Sequence, residues 1–426
     1  MRLPITRLAR WCLMLAAAGA VFAAGGGEAD DDGRVTVTLG YNAFLSDSFT
    51  DAPAPIDVIR AELERQYPEI ELVYETMSQD MLDTLILWMT AQDDTVDIYG
   101  IDEPWVSQFG RAGWAVPLNG RISGLEQQFS TSGLDTFSYE GERLGVPFWG
   151  SVTGLYYRSD ILDEYGFAPP ATVDELVAIV TAVQADDPDM SGFLWPGARE
   201  EDLVMYYSTL LHAFGGTYLT GDGGFAFDSD ASIAAIEFMR QTIESGVSPR
   251  AVQNWQRIEA RQRFVNGDGV FLWDNNDIVT WLDDPDRSQI AGSWGYIPFP
   301  AQPGGERVAI TGGFAFAANP FGTNVEAALR VLEVIAGEAV QKGFALAWGP
   351  VQYYNGLYQD PEVQQYNPNV DRLVPVLERA RNRPPSENYA ELSGLMQEEL
   401  NAAVTGTVAV PVAVERMTTR ADALLD

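Results

Sequence analysis

Gly145-Val-Pro-Phe-Trp-Gly-Ser-Val-Thr-Gly-Leu-Tyr-Tyr-Arg-Ser-Asp-Ile-Leu162 decides how the rest of the chain is read. An apolar run, Leu144 to Trp149, is broken by Pro147 and Gly150. A second run, Val152 to Tyr157, is rich in β-branched and aromatic residues and stops at Arg158-Ser159-Asp160. The pattern predicts a strand, a break, a second strand and then a helix capped by Ser159 or Asp160. Two strands end to end can carry the chain from one lobe to another, with their aromatic rings facing whatever lies between. Taken alone, the stretch reads equally well as an ordinary buried strand pair.

Upstream, Val35 to Tyr41 alternates at period two and predicts a strand. Ile56 to Tyr67 then reads as a helix, Ile70 to Tyr74 as a strand, Ser78 to Ala91 as a helix, Val96 to Ile101 as a strand and Trp105 to Ala112 as a short helix. Such alternation implies a mostly parallel sheet with helices on both faces. Asp102 falls at the carboxyl end of the third strand, the edge where open α/β sheets bind ligands.

Downstream, Thr172 to Gln184 opens with a capping box formed by Thr172 and Glu175. Helices are predicted over Leu203 to Phe214, Ala231 to Gly246 and Arg257 to Val265, with a hairpin at Gly221 to Gly224 and a strand from Val270 to Trp273. Trp294 to Phe299 reads as a strand crossing back to the first lobe, and Thr311 to Ala317 as a loop and strand beyond it. Asn324 to Ala336 and Glu338 to Leu346 are helical, and Trp348 to Tyr354 would make a third crossing. The tail reads as helices over Val370 to Arg381, Glu387 to Thr405 and Val412 to Leu425, with Pro411 suited to a first turn.

Charge sets limits on partners. The 426 residues hold 26 basic and 61 acidic side chains, a net charge of −35. Setting aside Arg2, Arg7 and Arg10 leaves a balance of −38. Nucleic acid and anionic membrane surfaces are repelled by such a field. Lys342 is the only lysine, and an acidic surface almost without lysine suits a protein kept hydrated in high salt; an Arg-favouring codon bias with acidic drift explains it as well. The N-terminus has a basic region, an apolar run from Trp11 to Ala20 and small residues at Val21 to Ala24, the pattern of a secretory leader. Cleavage is expected after Ala23 or Ala24, which would remove Cys12, the only cysteine and one placed too early for lipid attachment. The product is then exported and soluble, with no membrane insertion.

The order of the pieces resembles the extracellular solute-binding proteins of ATP-driven importers, in the carbohydrate family that includes maltose- and trehalose/maltose-binding proteins. The motifs that carry it are Val96-Asp97-Ile98-Tyr99, Ala112 to Leu118, the crossing Gly145 to Leu162, Phe264 to Phe271, Gly312-Gly313-Phe314, and Asn382-Arg383-Pro384 leading to Tyr389 and the helix from Leu395. Each is short; six in order over the whole mature chain make the resemblance specific. It implies an α/β fold of the type II periplasmic-binding-protein kind, two lobes joined by three crossovers and closing on a ligand like a hinged trap. The implied boundaries are a signal peptide over 1–24, a flexible spacer over 25–33, an N-terminal lobe of 34–147 and 296–348, and a C-terminal lobe of 148–295 and 349–426. The implied partners are a carbohydrate and the permease of an ABC transporter, with the ATPase reached indirectly and the binding protein itself a monomer. No cofactor or metal is expected. Two motifs depart from the family pattern. The tryptophan usual after the Phe271 strand is either Trp273 in a shifted place or replaced by Asn275, and Gly-Gly-Trp has become Gly312-Gly313-Phe314.

A sugar site needs rings to cover C–H patches and planar polar groups to pair with hydroxyls. The expected ligand-binding set is Tyr41, Asn42, Asp102, Trp149, Ser151, Tyr156, Trp273, Asp274, Asn275, Gly312, Gly313, Phe314, Arg383 and Tyr389. Several have plainer roles open to them. Asp102 could cap the Trp105 helix, Trp149 and Tyr156 could be core, the glycines could make a turn, and Arg383, held extended before Pro384, could form a salt bridge. Enzyme readings find little support. His212 is the only histidine, no Gly-x-Ser-x-Gly elbow accompanies it, and with 61 carboxylates some glycosidase-like pair always fits. The acidic loops Asp186 to Asp189 and Asp222 to Gly224 do not match a calcium-binding loop.

Overall fold

A computed structural model describes residues 33–425 apart from 49, 79–80, 350–352, 367–369, 378 and 385. The leader, its cleavage point, Cys12 and nearly all of the acidic spacer lie outside the described residues.

Eleven strands are present among these: β1 (Val35–Asn42), β2 (Ile70–Met77), β3 (Ile98–Asp102), β4 (Ser138–Tyr139), β5 (Glu142–Arg143), β6 (Val146–Arg158), β7 (Ser191–Leu194), β8 (Gly269–Asn275), β9 (Trp294–Ile297), β10 (Ala309–Ala318) and β11 (Ala380–Arg381). Strands β4 and β5 form a small hairpin. The others make one mixed sheet of order β2-β1-β3-β10-β6-β8-β7, with β11 beside β10 and β9 beside β6. β1 runs parallel to β2 and β3, as the strand–helix alternation predicts, because the helices Pro55–Gln66 and Met81–Ala91 carry the chain back between them. β10 enters antiparallel between β3 and β6. In the second half β7 pairs parallel with β8 and β11 parallel with the start of β10; β8 and β9 each run against β6.

Two large hydrophobic cores divide the molecule into lobes. The first gathers Val37 through Phe148 with Ala315 to Ala318 and the helices Val325–Ala336 and Glu338–Trp348. The second gathers Leu155 through Trp273, Phe299 through Ile310 and the tail helices Tyr389–Val404 and Val410–Asp422, with a smaller cluster around Tyr156, Phe264 and Tyr296 against the same half. β6 and β10 run through both. On β6, Phe148 belongs to the first core, while Leu155 belongs to the second. Burying Phe148, 2 % exposed, stabilises the first lobe by about 2–3 kcal/mol.

The structure corrects several sequence expectations. Val146 to Arg158 is one strand of 13 residues, not two. Pro147 is accommodated at an irregularity, where Phe314 pairs with Trp149 but Ala315 pairs with Pro147, leaving Phe148 as the extra residue. The following helix, Ser159–Tyr165, has Arg158 at its N-cap with no side-chain cap; Asp160 instead accepts from Arg158 at 2.8 and 2.6 Å. Trp294–Ile297 does not cross. It pairs with Leu155 to Arg158, and Trp294, Tyr296 and Phe299 all pack with the second half. The returning strand is β10, whose Ile310 lies in the second core and whose Ala315 lies in the first. The N-terminal lobe's second segment therefore starts within β10 and not at 296. The helix expected to run to Arg381 ends at Leu377, and Ala380–Arg381 is a strand on β10. The expected third crossing at Trp348 to Tyr354 is not made by its described residues: Trp348 packs in the first core, Tyr353 and Tyr354 pack against it, and Leu357 and Val363 pack on Ala345 of the same lobe, while 350–352 lie outside the described residues.

Candidate functional site

At the pairing Trp149–Phe314, directly opposite residues of an antiparallel ladder share a face. Their rings stack with centroids 5.6 Å apart and planes 7° apart. Tyr41, at the end of β1, meets Phe314 edge-on at 5.7 Å, and Trp105 does so at 6.3 Å. Asn42 caps the short 3-10 turn Ala43–Ser46, its Oδ1 accepting from the Phe44 N–H at 3.1 Å. That turn holds Phe44 out, 42 % exposed. Trp348 completes the wall, its Nε1 donating to the Asp47 carbonyl at 2.9 Å. Tyr41, Phe44, Trp149 and Trp348 surround a narrow cavity of about 80 Å³, and Asp277, beyond β8 in the second lobe, closes its far side.

Asp277 is held by Arg261, which donates to it at 2.9 and 3.0 Å and to Asp274 at 2.9 Å through two nitrogens. Burial pushes the Asp277 carboxyl up, but the Arg261 and Arg257 charges outweigh it and hold the group below the usual carboxylate range. Beside it, Asn276 Oδ1 accepts from the Val152 N–H at 2.8 Å. The Asn276 Nδ2 and Asn275 Oδ1 are buried without a protein partner, each costing about 1–3 kcal/mol unless something meets it.

A second polar centre joins the lobes. Arg383, on the segment after β11, donates to Asp102 at 2.7 Å, to Glu103 at 3.2 Å and to Glu201 at 3.2 Å. Glu201 opens the helix Glu201–Ala213 of the second lobe and also accepts from Tyr389 and Ser393. Burial raises Glu103 to about 7, with the Arg383 charge pulling the other way. Burial raises Glu201 as well.

The structure thus brings together Tyr41, Trp149 and Phe314 as ring wall, with Asn42 capping the turn that holds Phe44; Asn275 is buried on β8 opposite Thr153 and does not line the cavity. Ser151 and Gly312 are paired on the same face as Trp149, and a Cβ on Gly312 would lie 2.8 Å from the Ser151 hydroxyl. Gly313 is required by packing on the other face: a Cβ there would lie 2.8 Å from the Trp149 carbonyl oxygen and 3.2 Å from the Tyr353 hydroxyl. Asp102 caps nothing; its carboxylate goes to Arg383.

Three expected residues do not reach the groove. Tyr156 is fully buried, 4.4 Å from Tyr296, and its hydroxyl donates to the Asn275 carbonyl. Trp273 is fully buried against Tyr206 with its Nε1 on Thr209, so it offers no platform. Asp274 is neutralised on Arg261 inside the lobe. Arg383 and Tyr389 are also buried and committed to carboxylates, which replaces the expected free fork.

Phe44, Trp105, Trp348, Glu103, Glu201 and Asp277 went unread. Asp277 stood in the Trp273 to Asp277 run, and Trp348 in the expected third crossing. Glu201 carried no sequence signal to separate it from the many other acids. Among the described residues, no group of three or more His, Cys, Asp or Glu is arranged to hold a metal ion, and no helix is long and apolar enough to span a membrane.

Two lobes threaded by shared strands, with rings and carboxylates facing each other where those strands pass, define a binding protein of the hinged, cleft-forming class. The chain belongs to the bacterial extracellular solute-binding proteins, whose family pattern matches residues 46–342. Members of this family bind solutes and do no covalent chemistry, and family and fold place the protein outside the cytoplasm. Among its relatives is the Probable ABC transporter-binding protein of Deinococcus radiodurans, 26 % identical over 325 residues, covering 74 % of this chain and 76 % of that one. The Mannitol-binding protein of Pseudomonas aeruginosa is 23 % identical over 325 residues, covering 72 % and 69 %. Among solved structures, maltose-bound MalE3 of T. maritima superposes with a TM-score of 0.79 at 27 % identity, covering 90 % of this chain and 98 % of that one. The cyclic alpha-maltosyl-1,6-maltose binding protein of Arthrobacter globiformis shares the fold with a TM-score of 0.73 at 22 % identity, covering 92 % and 99 %.

Proposed function

We propose that this protein captures a di- or oligosaccharide outside the cytoplasmic membrane and hands it to the permease of an ABC importer. The observation that carries the reading is the set of rings Tyr41, Phe44, Trp149 and Trp348, with Phe314 stacked behind Trp149, facing Asp277 across one narrow groove. Rings cover the C–H faces of a pyranose, and planar acceptors and donors take its hydroxyls. The sugars named for the relatives are consistent with this: maltose for the T. maritima protein and cyclic maltosyl-maltose for the Arthrobacter one.

The hinge is assigned to Trp149–Val152 and Thr311–Phe314, where β6 and β10 pass between the cores. A cavity of about 80 Å³ is well below the several hundred Å³ typical of small-molecule pockets, so a disaccharide enters only when the lobes part. Ligand then favours the closed form by contacts made from both lobes at once, and the permease reads that form. The leader directs export and is removed after Ala23 or Ala24; the exported protein works as a monomer.

Calorimetry against a panel of neutral di- and oligosaccharides, paired with small-angle scattering, tests the reading. Binding of at least one sugar with a fall in radius of gyration is expected. Binding of a peptide or metal instead, with none of the sugars bound, overturns it.

A further inference from the structure

Three carboxylates converge on one guanidinium at the seam between the lobes. Asp102 and Glu103 come from the end of β3 in the first lobe, and Glu201 from the second. Arg383 itself sits on the second lobe's side: Ala380–Arg381 pairs with Ala309–Ile310, and the carbonyl of Asn382 accepts from Tyr218 at 3.2 Å. Its side chain is only 4 % exposed and that of Glu103 only 5 %, so water screens this contact poorly. The contact is made across the seam, with Asp102 and Glu103 on one side and Arg383 and Glu201 on the other. A neighbouring tie has the same geometry, with Glu387 of the tail held by Arg111 and by Tyr139, the latter at 3.0 Å.

The charges do not balance. Three carboxylates against one guanidinium leave two negative charges in excess at the seam, and of the three only Glu103 is shut off from water; the side chains of Asp102 and Glu201 are 16 % and 34 % exposed. The other titratable groups facing it are phenols: Tyr389 from the tail helix, Tyr41 from β1 beside Asp102, and Tyr218 and Tyr353 beside Glu103. None of these supplies a positive charge.

We propose that the Arg383 cluster is a latch for closure and that shutting the lobes takes up a proton at Glu103, so that mild acid favours the closed, ligand-holding form. Asp102 and Glu201 keep the guanidinium, and protonated Glu103 sits beside it as a neutral acid. The elevated position of Glu103, about 7 in the closed contact, is the expected companion of this geometry. A carboxyl raised above its ordinary value stabilises the closed form most at low pH, and that advantage is lost as pH rises through about 7. Glu103 and Arg383 are in this sense positioning residues, acting through lobe geometry.

The inference rests on hinged closure as proposed above, and its test separates the two. Maltose is the probe, titrated at pH 6 and pH 8 at constant ionic strength, in two buffers of different ionisation enthalpy; scattering of the sugar-free protein is recorded at the same pH values. For one proton the maltose affinity should be about tenfold higher at pH 6 than at pH 8, with net proton uptake on binding and a more compact sugar-free protein at pH 6. Glu103→Gln should flatten all three, and Glu387→Gln, which loosens the neighbouring tie, should retain the pH response. Maltose binding without pH dependence or proton uptake would sink the latch and leave the sugar assignment standing. A pH-dependent scattering change without maltose binding would uphold the latch and remove maltose alone from the panel of candidate sugars. If Glu103→Gln fails to fold, the proton count of the unmodified protein still decides.

Discussion

Trp149 carries the groove by position as much as by chemistry. One ring face lies on Phe314 at a 7° interplanar angle, so the ring's orientation is already set before any ligand arrives. Trp149→Ala should therefore weaken saccharide binding by about 2 kcal/mol, on the order of 30-fold, while Trp149→Phe loses less; an unchanged affinity by calorimetry would remove the ring from the site. Arg261 plays a different part. It is 6 % exposed and neutralises Asp274, which is fully buried, while aiming Asp277 at the groove. Arg261→Met leaves a buried charge unpaired and should cost about 3–5 kcal/mol of stability, read from the urea midpoint; a shift under 1 kcal/mol (roughly the value of a surface pair) would contradict that geometry. At this scale the position of Asp102 was legible, because the apolar run of its strand stops there. Trp273 and Asp277 were not. Every residue of β8 is buried, so the strand shows no inside–outside alternation, and nothing in the sequence says which side chains face the groove.

The strands that cross between lobes were harder to place than the helices. Thr172 and Glu175 form the predicted capping box, and Pro411 lies in the first turn of Val410–Asp422, because caps are local. Trp294–Ile297 has the aromatic content of a buried strand, and so does any edge of the second lobe. The strand that does return, β10, is written mostly in Gly and Ala and looked partly like a loop. Its small residues are demanded by neighbours on both sides, information held in the partner strand and in Tyr353. Gly313 has no positive φ, so its constraint is space alone. Gly313→Ala should destabilise by about 1–3 kcal/mol, since the Trp149 carbonyl is backbone and cannot step aside. Gly394, in the helix Tyr389–Val404, has open space around a Cβ, and Gly394→Ala should add about 0.5–1 kcal/mol. Denaturant midpoints moving in the same direction for both variants would show that crowding does not explain the glycines of β10.

For the whole molecule, strand–helix order and the run of family motifs made the two-lobed architecture legible; the width of the groove was not, since it depends on contacts such as Arg383 to Asp102 across 281 positions of chain. Charge is the property of the whole that sequence states outright, and its consequence can be argued through. With a net charge of −35, most acidic side chains have no cation to meet. Even the single lysine is shared, Lys342 contacting both Asp360 at 2.9 Å and Glu362 at 2.8 Å and so tying the start of the helix Pro361–Tyr366 to the helix Glu338–Trp348. Salt acts on such a protein in two opposed ways. It weakens exposed pairs such as Arg65 with Glu62, each worth at most about 1 kcal/mol, and it screens the repulsion among the excess carboxylates. Screening reaches across about 10 Å at 0.1 M and about 3 Å at 1 M, so repulsion spread over the whole surface is suppressed by added salt. Because acids outnumber bases by more than two to one, the second effect dominates, and the thermal midpoint should rise steadily as KCl is raised towards about 1 M. The buried Arg261 and Arg383 clusters, poorly reached by ions, should hold their contribution throughout. A midpoint that falls with KCl, or stays level, would mean that the surface pairs and not the uncompensated acids govern stability, and the proposal of a protein suited to saline surroundings would fall with it.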